Sequence, residues 1–136
     1  MKLITKHTDY AVRALMHLAK RPGRVIPASA IAAGERIPEK FLRRLLRELI
    51  KKGFLASKEG KGGGVTLEKN PKEIRLIDVM RVFQGGFELS GCMFRKELCP
   101  NRKTCVLRSK VKAIEKELAG RFGKITISSL INEKKA

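Results

Sequence analysis

The chain has 136 residues, and its 31 Lys and Arg stand against 13 Asp and Glu, a formal net charge of +18. That length fits one domain with an appended element, and that charge predicts a polyanionic partner with steep salt dependence, nucleic acid ahead of a membrane surface. No apolar run approaches the roughly 18 residues of a membrane span, and the opening MKLITKHTDY lacks a signal-peptide apolar core, so a cytoplasmic protein is expected.

From 5 to 20, TKHTDYAVRALMHLAK puts Tyr10, Ala11, Ala14, Leu15, Leu18 and Ala19 on one face with Val12 and Met16 beside it. This predicts a first helix, stopped by Pro22-Gly23. His7 and His17 are the only histidines of the chain. With no second histidine or carboxylate at ligand spacing, each is expected as a surface or half-buried side chain rather than a metal ligand. Val25 and Ile26 suit a short strand before Pro27, and 28–33 suits a short helix closed by Gly34, with Glu35-Arg36-Ile37 as the turn into the next helix.

That next helix is the centre of the chain. Pro38 suits a first helical position and Gly53 the residue past the end. Between them Phe41, Leu42, Leu45, Leu46, Leu49 and Ile50 recur as an apolar face, while Lys40, Arg43, Arg44, Arg47 and Lys51 recur on the opposite side. Short helix, turn and longer helix is the spacing of a helix-turn-helix, whose second helix enters the major groove. Phe54-Leu55-Ala56-Ser57 and Val65-Thr66-Leu67 then pair as a hairpin around the glycine-rich 58–64, which carries Lys58 and Lys61. The expected fold is mainly α with a small β-hairpin wing, a winged helix-turn-helix. A phosphate-cradling loop is disfavoured, because there is no G-x-x-x-x-G-K-[ST] pattern and the glycines lead into a strand.

Beyond Asn70-Pro71, Leu76, Val79, Met80 and Phe83 mark a fourth helix ending at Gly85-Gly86, after which periodicity is lost from Phe87 to Thr104. It returns with Leu107, Val111, Ile114 and Leu118, spaced four, three and four, a short coiled-coil seam. The seam lies outside the winged-helix unit and predicts a homodimer through a long C-terminal helix. A last short helix is expected over 125–131. The chain thus divides into a DNA-binding domain (1–86), a cysteine loop (87–105) and a dimerisation helix with tail (106–136).

Cys92, Cys99 and Cys105 form C-x6-C-x5-C, an odd number that points to a reducing compartment rather than a disulfide framework. The spacing lacks the C-x2-4-C pair usual for zinc. Three readings stay open: a metal or iron-sulfur cluster, a thiol switch favoured by Arg95, Lys96, Arg102 and Lys103 nearby, or three unliganded thiols.

In order and spacing, MKLITKHTDYAVRALMHLA, IPEKFLRRLLRELIKKGFL, the wing ending GGGV, DVMRVFQGG, the three cysteines and the closing helix resemble the bacterial winged-helix repressors typified by IscR and NsrR. The resemblance implies a homodimeric repressor on a palindromic promoter site, with an iron-sulfur cluster (2Fe-2S or 4Fe-4S) held by Cys92, Cys99, Cys105 and one non-cysteine ligand. In IscR-like members that ligand is a histidine three residues beyond the last cysteine, where this chain has Arg108. In some NsrR-like members it is an aspartate near the start of the first helix, supplied by the partner subunit, a place that Asp9 matches; an N-terminal carboxylate favoured by the helix dipole is the other reading of Asp9. Glu59 stands where many members carry a wing arginine, and the first cysteine spacing is longer than in the best-known members.

The expectation is therefore a regulator gated by nitric oxide, iron supply or redox state. Lys40, Arg43, Arg44 and Arg47 would face the major groove, while Lys58 and Lys61 reach phosphates or the minor groove. Its alternatives are a metal-free thiol-switch regulator and a non-specific basic nucleic-acid-binding protein. An enzyme is not expected, since two histidines on one helix and scattered acids give no nucleophile-base pair.

Overall fold

A computed structural model describes residues 3–85 and 105–133. In chain order it contains α1 (Lys6–Ala19), α2 (Ala28–Glu35), α3 (Glu39–Lys51), β1 (Leu55–Lys58), β2 (Gly64–Leu67), α4 (Leu76–Gln84), α5 (Val106–Lys124) and α6 (Ile127–Asn132). The expected cysteine loop, with Cys92 and Cys99, lies outside the described residues apart from Cys105.

The start of α1 is fixed twice. The Thr5 hydroxyl caps it by accepting from the Thr8 N–H at 3.3 Å. Gln84, the last residue of α4, reaches across: its Oε1 accepts from the Thr5 N–H (3.2 Å) and the Thr8 hydroxyl (2.9 Å), and its Nε2 donates to the Leu3 carbonyl (2.9 Å). Thr8 is fully buried and its hydroxyl is satisfied by these bonds.

Two boundaries differ from the sequence expectation. Gly34 does not close α2; the helix runs on to Glu35 and ends at Arg36, which takes the left-handed conformation (φ 55°) with its N–H on the Ala32 carbonyl. Gly34 is there for packing, since a Cβ on it would lie 2.8 Å from Cε1 of His17. Pro38 sits at the N-cap of α3 rather than at its first helical position. Gly53 does follow the end of α3 with φ 81°, and the Phe54 N–H closes back on the Leu49 carbonyl at 3.0 Å.

The wing is an antiparallel pair with Leu55 opposite Leu67, Ser57 opposite Val65 and Lys58 opposite Gly64. Ile26 adds a single bridge on the other side of β2, exchanging two 2.9 Å backbone bonds with Val65. The sequence predicts a short strand of Val25 and Ile26 before Pro27; only this one-residue bridge forms there. Gly64 is required there, because a Cβ would collide with the Ile26 carbonyl.

The core sits where α1, α2, α3, α4 and α6 meet. Leu15, Leu18, Ile31, Leu42, Leu49, Ile74, Val79, Met80 and Ile127 are all under 2 % exposed, and each such side chain contributes about 1.5–3 kcal/mol relative to exposure. Ile127 carries α6 back onto α1. The return is fixed by backbone bonds from Leu76 N–H to Ile125 (2.8 Å), Ile127 N–H to Ile74 (2.9 Å) and Ser128 N–H to Pro71 (3.1 Å). By contrast, α5 buries none of its side chains: Val106 is 70 %, Leu107 73 % and Ile114 50 % exposed.

Candidate nucleic-acid interface

α3 separates its two faces sharply, with one correction. Leu42, Leu45, Leu46 and Leu49 are buried and Ile50 half-buried, but Phe41 is exposed. At about 100° per residue, Phe41 falls outside the arc of the four leucines, on the border with the polar side. Lys40, Arg43, Arg44, Arg47 and Lys51 are all exposed and fall within one arc of about 100°.

The wing is placed against one edge of that arc. Arg43, Leu46, Arg47 and Ile50 of α3, Pro27 and Ala28 at the start of α2, and Ser57, Lys58, Gly60 and Gly63 of the wing line a single groove of about 350 Å³. Arg43, Arg47 and Lys58 therefore converge on one space. The first turn of α2, which has no side-chain cap, opens into it. Three cations around one groove suit a phosphate group. Arg43 is steadied by Glu39 at 2.9 Å on the preceding turn, an exposed pair worth a few tenths of a kcal/mol. Lys40 and Arg44 point from the same arc but do not line the groove, and Lys61 is exposed at the wing tip beside Glu59. The close turn at that tip needs glycine, since a Cβ on Gly63 would lie 2.8 Å from the Gly60 carbonyl.

Sequence reasoning missed what holds α2 to α1. His17 is 8 % exposed, and its Nδ1 lies 2.9 Å from Oε2 of Glu35. Arg13 donates to the Glu35 carbonyl and lies 4.0 Å from its carboxylate. The carboxylate sits 18 residues away, so no local spacing reveals it. The one available signal is that His17 follows Ala14 by three positions, which places it beside the buried face.

Of the candidate metal ligands, Cys105 and Asp9 are described. Cys105 is a free, half-buried thiol at the N-cap of α5, and its Sγ accepts from the Arg108 N–H at 3.4 Å. Its sulfur is the kind of soft donor that can ligate a soft metal ion. Asp9 lies in the first turn of α1, its side chain 58 % exposed and 3.7 Å from Nη1 of Arg13. This loose surface pair leaves the carboxylate open to a second molecule. Among the described residues no three His, Cys, Asp or Glu side chains gather as a metal site, and no helix is long and apolar enough to cross a membrane.

A family model described as Rrf2, an iron-dependent transcriptional regulator, matches residues 4–133. The HTH-type transcriptional regulator NsrR of Bacillus subtilis is 29 % identical over 136 residues, 98 % of this chain and 92 % of that protein. Among solved structures, IscR of T. potens superposes with a TM-score of 0.76 at 22 % identity, covering all of this chain and 94 % of that one. The oxidised form of Staphylococcus aureus CymR superposes at 0.80 with 19 % identity, covering both chains fully.

Proposed function

The chain belongs to the Rrf2 family of DNA-binding transcriptional regulators, and from that premise we propose that it is a homodimeric repressor of a palindromic promoter site, regulated through its cysteine segment. The observation that carries the proposal is the convergence of Arg43, Arg47 and Lys58 on one groove between α2, α3 and the wing. In this reading α3 enters the major groove. Lys40, Arg43, Arg44 and Arg47 divide between guanine edges and phosphates, and Lys58 and Lys61 reach the backbone or the minor groove.

The second copy is proposed to cover the stripe of Leu107, Val111, Ile114 and Leu118. Leu107 and Ile114 are exposed in the single chain, whereas Val111 and Leu118 are half-buried. An isologous pairing of α5 with α5 would bury the stripe and fix the separation of the two recognition helices.

Cys92, Cys99 and Cys105 are the proposed ligands of an iron-sulfur cluster, with Asp9 of a second copy as the fourth. When bound, such a group supplies iron that responds to oxidants, nitric oxide or iron supply. The chain's own part is to connect the cysteine segment to the DNA-binding body at both ends. Gln84, one residue before the segment's entry at Gly85, holds the start of α1, where Asp9 lies. At the exit, Cys105 caps α5, whose far end is bonded to the start of α4. A rearrangement between those ends therefore reaches both the Asp9 turn and the dimer helix.

A metal-free thiol switch is the second reading. It is favoured by the likeness to an oxidised form of CymR and by the free Cys105 thiol.

The deciding experiment is the visible spectrum with iron and sulfide content of protein purified without oxygen, repeated for Cys92→Ala, Cys99→Ala, Cys105→Ala and Asp9→Ala. A charge-transfer band lost with each cysteine supports the cluster, and its change in Asp9→Ala supports the fourth ligand. Colourless protein after anaerobic reconstitution rejects the cluster in favour of the thiol switch. Selection from a random duplex pool tests the operator: a palindrome is expected, and equal affinity for every duplex of one length would leave only non-specific binding.

A further inference from the structure

Phe41 is the one large apolar side chain of α3 that is exposed, at 42 %. It is the third residue of the helix, in the N-terminal turn from which a recognition helix contacts base edges. Its ring does not fold back on the core. His7, from the first turn of α1, lies against it with ring centroids 5.9 Å apart at 38°, so the aromatic surface is held outward.

The surroundings restrict what could cover such a ring. Lys40 precedes it in the chain, Arg44 follows one turn later and Lys6 lies next to His7, all exposed. An apolar partner must therefore arrive embedded in an anionic ligand. The base edges of a DNA major groove display hydrogen-bond donors and acceptors and a single apolar group, the 5-methyl of thymine. On the helix circumference Phe41 borders the basic arc on the side away from the wing groove, about 60° from Arg44. It can therefore meet a base edge while Arg43 and Arg47 hold the backbone.

We infer that Phe41, braced by His7, reads a thymine methyl in each half-site and so determines part of the sequence preference. This rests on the DNA-binding reading above and adds a specificity-determining residue to it. The burial of one methyl corresponds to about fourfold in affinity, or about 0.8 kcal/mol.

The test uses the intact protein and a duplex it has selected from a random pool. If no sequence is selected, the operator reading itself fails, separately from this inference. Each thymine of the selected duplex is then replaced singly by deoxyuridine, which removes only the methyl group. At one thymine per half-site the wild-type protein should lose about fourfold in affinity, and Phe41→Ala should bind the thymine and deoxyuridine duplexes equally there. Wild-type protein indifferent to every replacement would overturn the inference without any variant. So would methyl sensitivity that persists in Phe41→Ala.

Discussion

α3 and α5 are both amphipathic helices, yet they dispose of their apolar residues in opposite ways. The leucines of α3 at 42, 45, 46 and 49 are buried inside the chain that carries them. None of the 19 residues of α5 is fully buried, and Leu107 and Ile114 are at least half exposed. The first pattern is completed by folding. The second is completed, in the proposed dimer, by association, and this separates the stability of the winged-helix body from that of the assembly.

The comparison can be pressed from either side. Leu49→Ala removes a fully buried side chain and should lower the unfolding free energy of the body by about 2–5 kcal/mol. Urea titration would show this, with the association constant of the still-folded protein unchanged. Ile114→Asp should do the reverse: a charge placed in the α5 stripe is expected to weaken association about a hundredfold in sedimentation equilibrium. The unfolding free energy of the monomer should stay within about 0.5 kcal/mol. Loss of body stability on that substitution would mean that α5 is part of the body after all.

Arg47→Ala tests the polar side of α3. It should cost about tenfold in DNA affinity and flatten the dependence of log affinity on log salt by about one ion, with neither folding nor association altered. The smallest effect lies at the start of α4, beside the end of α5, where Arg75 gives Asp78 two 2.9 Å hydrogen bonds. Partial burial alone would raise the Asp78 pKa, but the Arg75 bonds and charge, helped by Arg81, hold it below the ordinary carboxylate value. The folded state therefore gains from this carboxylate above about pH 4 and loses the gain as pH falls through the depressed value. With both partners partly solvated, the loss should be well under 1 kcal/mol. It should vanish in Asp78→Asn, as acid-limb unfolding curves would show.

Much of this was readable from residue spacing. α1, α3, α4 and α5 each announced themselves by apolar recurrence, and the wing by two short β-prone runs around glycines. The failures have two causes, a tertiary neighbour in one case and a place at the margin of a helix face in the other. Gly34 reads as a stop, but its missing Cβ makes room for His17 and α2 continues past it. Phe41 reads as core because it stands four residues before Leu45, yet about 100° per residue carries it to the margin beside His7. The candidate cations were legible as a basic face of α3 and a lysine-bearing wing. Only the folded wing distinguishes Arg43, Arg47 and Lys58, which share the groove, from Lys40, Arg44 and Lys61, which do not.

The backbone bonds that stitch Ile125 and Ile127 to Leu76 and Ile74 give α5 a mechanical character. Serving as a pivot in the proposed regulation, they would make the 19 residues of α5 an arm of about 28 Å at 1.5 Å per residue. A tilt of about 5° at the pivot moves the Cys105 end by about 2.4 Å. In the proposed regulation, a small change where α5 joins the body would thus correspond to a displacement of ångströms at the proposed ligand Cys105.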